Sequence, residues 1–207
     1  MVPYVRMAVE GDLDEAVGRR LLALVGLECW EKPFGLKGKH GLVKSLPAYC
    51  RSARRDPWFI LLDLDRDATC APVLIEQLVG PKAPELLSLR IAVRAVESWL
   101  MADRDGFAKF LAVAPSAVPV DPDEVPVPKQ TVVNLARRSR SRQVRQALVP
   151  EPESSGVAGP LYGTWLASFV SRPEDGWDPV TAATNSPSLK SCIEALRRLR
   201  RRLEHGC

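Results

Sequence analysis

The chain has 207 residues, of which 46% are hydrophobic and 26% charged, the balance of a globular protein of ordinary domain size and not of a disordered or fibrous chain. No apolar run approaches the roughly 18 residues of a membrane-spanning helix, and Arg6, Glu10, Asp12 and Asp14 interrupt any signal-peptide core, so no membrane partner is expected. The net charge of +4 divides unevenly: segment 129–147 carries six basic residues and no acid, segment 190–202 carries +5, and the remainder carries −7.

An acidic body with two basic strips suits a protein that presents cations to a polyanion, although each strip alone also reads as a solvated helix face. The five cysteines are scattered and never spaced C-x-x-C, and His40 and His205 are the two histidines. That argues against a zinc cage and for reduced thiols in a cytoplasmic protein.

In chain order, Tyr4–Val9 reads as a strand, followed by a helix through Leu13, Val17, Leu21, Leu22 and Val25, with Asp12 and Glu15 at capping-box spacing and Gly26 as its stop. Residues 30–41, with Gly35, Gly38, Gly41, Lys37, Lys39 and His40, read as a flexible basic loop. A helix is expected over Leu42–Arg54 with a break near Pro47. Trp58-Phe-Ile-Leu-Leu62 is the strongest buried strand and ends in Asp63-Leu-Asp65-Arg-Asp67.

A helix over Pro72–Val79 and a strand over Leu86–Val93 follow, the latter running into a helix with Val96, Trp99 and Leu100 on its apolar side. Pro119–Pro128 reads as a proline-rich acidic loop, 129–148 as basic helix, 150–160 as a second loop and Leu161–Val170 as helix. The last helix, Ser188–Glu204, has Leu189, Ile193, Leu196, Leu199 and Leu203 in one stripe. The expected fold is α/β, a mostly parallel sheet with helices on both faces, plus a mainly helical C-terminal portion. Residues 1–118 form the expected core and 119–207 a basic helical extension packed on it.

Ligand chemistry in an open α/β sheet gathers beyond the carboxyl ends of its strands. Two expected strands end there in acids, at Glu10-Gly11 and at Asp63-Leu64-Asp65, and Asp14 follows Glu10 by one helical turn. If the strands are parallel neighbours, these carboxylates converge, repel and raise one another's pKa. Mg²⁺ (or Mn²⁺) would remove that repulsion, because hard oxygen ligands suit it. The structural alternative is a helix cap at Glu10 or Asp12 and a simple strand-end polar residue at Asp63.

In this order the residues resemble the Toprim (topoisomerase–primase) fold, with Glu10 and Asp14 similar to the E-x-x-x-D form of OLD-type nucleases. The chain as a whole resembles small stand-alone bacterial Toprim-like proteins of unknown function. The segment from Arg90 through Glu97 and Trp99 to Asp103, the pair Pro128-Lys129, and Asn185-Ser-Pro-Ser-Leu189 carry the rest of the likeness. The resemblance implies a Mg²⁺-dependent nuclease, of a phage-defence kind working beside an ATPase partner. Glu10, Asp14, Asp63, Asp65 and Glu97 are then the metal ligands, Glu10 also a water-orienting group, and Lys129 a cationic stabiliser. Glu97 has the alternative of pairing with Arg94 or Arg90.

A non-catalytic adaptor or regulatory subunit on the same fold is the second reading. The third is a phosphatase, since Phe59–Thr69 also resembles the haloacid-dehalogenase motif, with Asp63 as nucleophile and Asp65 as general acid. Lys37, Lys39, Arg137, Arg138, Arg140 and Arg142 are the candidate contacts to nucleic-acid phosphates. The five tryptophans read as core or interface packing, and Cys70 as a buried small residue. A homo-oligomer is a further possibility.

Overall fold

The computed structural model describes residues 2–36 and 38–205, so Lys37 lies outside the described residues. In chain order the elements are β1 (Arg6–Val9), α1 (Asp12–Leu24), β2 (Phe34–Gly35), α2 (Gly38–Ser52), β3 (Trp58–Asp63), α3 (Ala71–Val79) and β4 (Leu87–Ala92). They continue as α4 (Val96–Ala102), α5 (Arg104–Leu111), α6 (Pro128–Arg137), α7 (Arg142–Leu148), α8 (Tyr162–Ser171), α9 (Pro179–Asn185) and α10 (Pro187–His205). The four strands form one all-parallel sheet in the order β2-β1-β3-β4, flanked by helices as the sequence pattern predicts.

The order of the strands explains where the helices lie. From β1 the chain steps outward to β2, then crosses back over β1 to β3. Right-handed crossovers running in opposite directions place their helices on opposite faces. Accordingly, Val17 and Leu21 of α1 pack with Phe59 and Leu61 of β3 on one face. Leu42 and Leu46 of α2 and Leu74 of α3 pack with Trp58, Ile60 and Leu62 on the other. Because β3 is covered on both faces, its residues Trp58–Leu62 are apolar without alternation and all buried.

The helices after β4 join the α1 face: Leu189, Ile193, Leu196 and Leu199 of α10 share one core with Trp99 of α4 and Phe169 of α8. That core draws on both sides of residue 118. Trp99 and Trp177 are fully buried, and Trp177 Nε1 donates to the Trp99 carbonyl at 3.0 Å. Trp30 departs from the packing expectation, being exposed and stacked on Tyr4. Among the described residues no helix is long and apolar enough to cross a membrane.

Several local expectations are corrected. Residues 30–41 are not a plain loop, because Phe34 and Gly35 pair with Ala8 and Val9 of β1 and α2 already begins at Gly38. Gly35 adopts φ +95 directly against the Val9 carbonyl, a close approach for which glycine is suited. Helix α2 runs unbroken through Pro47, whose ring faces solvent. Gly11, not Asp12, is the N-cap of α1, and Asp12 is its first residue.

The basic stretch 129–148 divides into two helices, because Ser141 caps α7 by accepting from the Val144 amide. Cys70 is exposed at the start of α3 and is not a buried residue. Helices α5 and α9 lie outside the elements expected from the sequence. Asp103 caps the first through Gly106 N, and Asp178 with Pro179 caps the second.

Candidate functional site

The strand order reverses between β1 and β3, the point at which an open α/β sheet leaves a crevice beyond its carboxyl ends. The acids stand there. Glu10 follows β1, and its Oε1 accepts from the Asp63 amide at 2.9 Å. Asp63 ends β3, and its Oδ1 accepts from the Val96 amide at the start of α4 at 3.0 Å. Asp14, on the first turn of α1, is 8% exposed, and its Oδ1 has no hydrogen-bond partner among the described residues. Glu97, on the first turn of α4, is 7% exposed and accepts from the Tyr162 hydroxyl at 3.1 Å.

All four carboxyl groups are held above their usual pKa range, and burial is the leading cause each time. Asp14 is pushed up to about 7 by burial and then by the charges of Glu10 and Glu97. Asp63 is raised by burial, then by Asp14, Glu97 and Glu10. The Asp63 amide and Lys39 oppose the rise at Glu10, and Tyr162 and Lys129 oppose it at Glu97. The four groups therefore form one mutually repelling cluster, two of whose members come from strand ends and two from helix starts.

Lysine 39 caps the crevice on the α2 side. Its Nζ pairs with Asp65 at 2.9 Å and with Asp67 at 2.6 Å, and also donates to the Asp63 carbonyl. Asp65 is thus drawn to the rim, half exposed, with the Arg94 guanidinium donating to its carbonyl at 3.1 Å. The Lys39 pair ties the Asp65 carboxylate to the α2 side of the crevice, whereas the phosphatase-like reading needs that side chain free to reach a substrate.

Two adjoining cavities meet at Asp63, Glu97 and Lys129. One of about 470 Å³ adds Asp14 and Tyr162, and one of about 570 Å³ adds Glu10, Asp65, Arg66, Asp67 and Arg94. Lys129, near the start of α6, lies over the Tyr162 ring at 5.0 Å, so the cation expected from the sequence does border the acids.

The donor set suits a hard divalent cation. It consists of carboxylates alone, and Asp14 Oδ1 is a buried acceptor with no donor among the described residues. Among the described residues no group of three or more histidine, cysteine, aspartate or glutamate side chains is placed to hold a metal ion by itself. Mg²⁺ does not require one, since it usually retains waters and is held by one or two carboxylates together with substrate phosphates.

The arginine strip lies elsewhere. Arg137, Arg138, Arg140 and Arg142 are all exposed around the α6–α7 junction, and none lines either acidic cavity. His40 is exposed beside Lys39. Tyr162 was not signalled by the sequence, because it reaches Glu97 from 65 residues away. No protein-family model, curated protein or solved structure was found to match the chain.

Proposed function

We propose that the chain is a metal-dependent phosphodiester hydrolase of Toprim-like kind, a nuclease, with its centre at Glu10, Asp14, Asp63 and Glu97. The observation that carries this reading is the convergence of these buried, mutually repelling carboxylates at the strand-order reversal, with Lys39 already engaged by Asp65 and Asp67. Asp63 and Asp14 would hold Mg²⁺ or Mn²⁺, with Glu97 fixed beside them by Tyr162. Bound metal supplies charge neutralisation on the phosphate and a lowered pKa for attacking water.

Glu10, oriented by the Asp63 amide, would accept a proton from attacking water, and Lys129, which lines the same cavity, would meet the phosphate. Lys39 holds Asp65 and Asp67 at the rim. The exposed arginines at 137, 138, 140 and 142 would follow the nucleic-acid backbone by charge and not by base identity. The four described cysteines are free thiols, in keeping with a cytoplasmic setting, and an ATPase remains the partner that the family resemblance suggests.

Incubation of the full chain with single- and double-stranded DNA and RNA plus Mg²⁺ or Mn²⁺ tests the proposal. Cleavage by wild type that is lost in Asp63→Asn supports it. Nucleic-acid binding without cleavage, unchanged by EDTA, assigns the adaptor role instead.

A further inference from the structure

A strand covered on both faces reads as continuously apolar, and β3 does so, but β4 does not. Its sequence is Leu87-Ser88-Leu89-Arg90-Ile91-Ala92. Pairing with β3 sets Ser88 beside Phe59 and Arg90 beside Leu61, so both polar residues fall on the face that α10 covers. Polar groups at such positions are costly unless something answers them.

Nothing among the described residues does. The Ser88 hydroxyl, on a residue 7% exposed, has no hydrogen-bond partner. No side-chain hydrogen bond or ion pair engages the Arg90 or Arg198 guanidinium, and Arg202 donates to the Glu85 carbonyl at 2.7 Å. Burial pushes the Arg90 pKa down, and the nearby Arg198 charge adds to this. Ser88, Arg90, Arg198 and Arg202 line one cavity of about 210 Å³ at the β4 edge. Glu85 is the single carboxylate in its wall, so the lining carries a net positive charge of about two at neutral pH.

A second cavity of about 270 Å³ shares Arg90 and Ile75 with the first and is walled mainly by apolar residues, with Ser188 and Ser191. Guanidinium groups present paired N–H donors that match phosphate oxygens, and a serine hydroxyl adds a further donor.

We propose that this cavity is a phosphate site, taking the phosphate of a small phosphomonoester on Arg90, Arg198, Arg202 and Ser88, with the neighbouring cavity receiving the organic part. It shares no lining residue with the acidic cavities, so it is independent of the nuclease reading.

Isothermal titration of the full chain in EDTA, with inorganic phosphate, with AMP and with a 5′-phosphorylated oligonucleotide, tests the site. Saturable binding of phosphate or AMP is expected, weakened at least tenfold in Arg90→Gln and in Arg198→Gln. Arg198 is exposed, so its variant keeps the fold should Arg90→Gln not. Asp63→Asn is expected to bind as wild type does, which separates this site from the acidic one. AMP binding tighter than inorganic phosphate assigns the second cavity to the organic part. Binding confined to the oligonucleotide and abolished by replacing Arg137, Arg138 and Arg140, or equal phosphate binding by wild type and Arg198→Gln, or no binding at all, overturns the proposal.

Discussion

Glu10 and Asp63 are joined by one hydrogen bond, from the Asp63 amide to the Glu10 carboxylate at 2.9 Å, and this contact ties the end of β1 to the end of β3. It is the one hydrogen bond to that side chain among the described residues, and it engages one of the two carboxylate oxygens. Glu10→Gln keeps an acceptor for the amide and loses only the charge. Glu10→Ala also loses the bond, worth about 0.5–1.5 kcal/mol, more when the acceptor is charged. Urea denaturation is expected to find the Gln variant near wild type and the Ala variant weaker by about 1 kcal/mol, with cleavage abolished in both.

The pH dependence of stability has a definite sign. Asp14 titrates at about 7 in the folded chain against 3.8 when free, so the folded state holds its proton more tightly. Stability from this group is complete below 3.8 and is lost as pH rises through about 7. Glu10, Asp63 and Glu97 are raised as well and act in the same direction. In EDTA the melting temperature is expected to fall between these pH values. Asp14→Asn is expected to flatten the fall, and an unchanged slope would remove Asp14 from the cluster.

Tyr162 and Glu97 form a buried pair across 65 residues of chain. Tyr162→Phe leaves a buried carboxylate without its donor, at a cost of about 1–3 kcal/mol. Because the hydroxyl favours ionised Glu97, the loss is expected to be larger at pH 8 than at pH 5. Chemical denaturation of both proteins at the two pH values measures it.

Much of this arrangement is legible in the sequence. The unbroken apolar run Trp58–Leu62 specified a central strand, and the acids just after two strands pointed to a shared crevice, which the neighbouring parallel pairing of β1 and β3 provides. What escaped was set by long-range packing. Lys39 reads as one more loop lysine until α2 carries it to Asp65 and Asp67. Asp65 reads like Asp63, yet that ion pair turns it to the rim. Helix α4 is buried all round, which erases the periodicity by which its Glu97 would be assigned a face.

Replacing Arg137, Arg138 and Arg140 by Ala is expected to lower the salt dependence of nucleic-acid binding by up to about 0.9 units of logarithmic slope per lost phosphate contact on duplex DNA. These side chains are exposed, so the fold is expected to be unaffected. A slope equal to that of wild type would identify the strip as a solvated helix face.

Thermal melting of wild type and Asp63→Asn, each in EDTA and in Mn²⁺, bears most directly on the metal centre. The Asn variant retains an acceptor for the Val96 amide while relieving repulsion among the acids, so it is expected to melt at or above wild type in EDTA. Binding to the folded state alone stabilises by about 2.7 kcal/mol at a hundredfold excess over Kd. At about 2–4 °C per kcal/mol for a chain of this size, Mn²⁺ is expected to raise wild type by roughly 5–10 °C. Asp63→Asn is expected to lose most of that rise. A Mn²⁺ shift absent from both proteins, or equal in both, would mean that these carboxylates hold no metal.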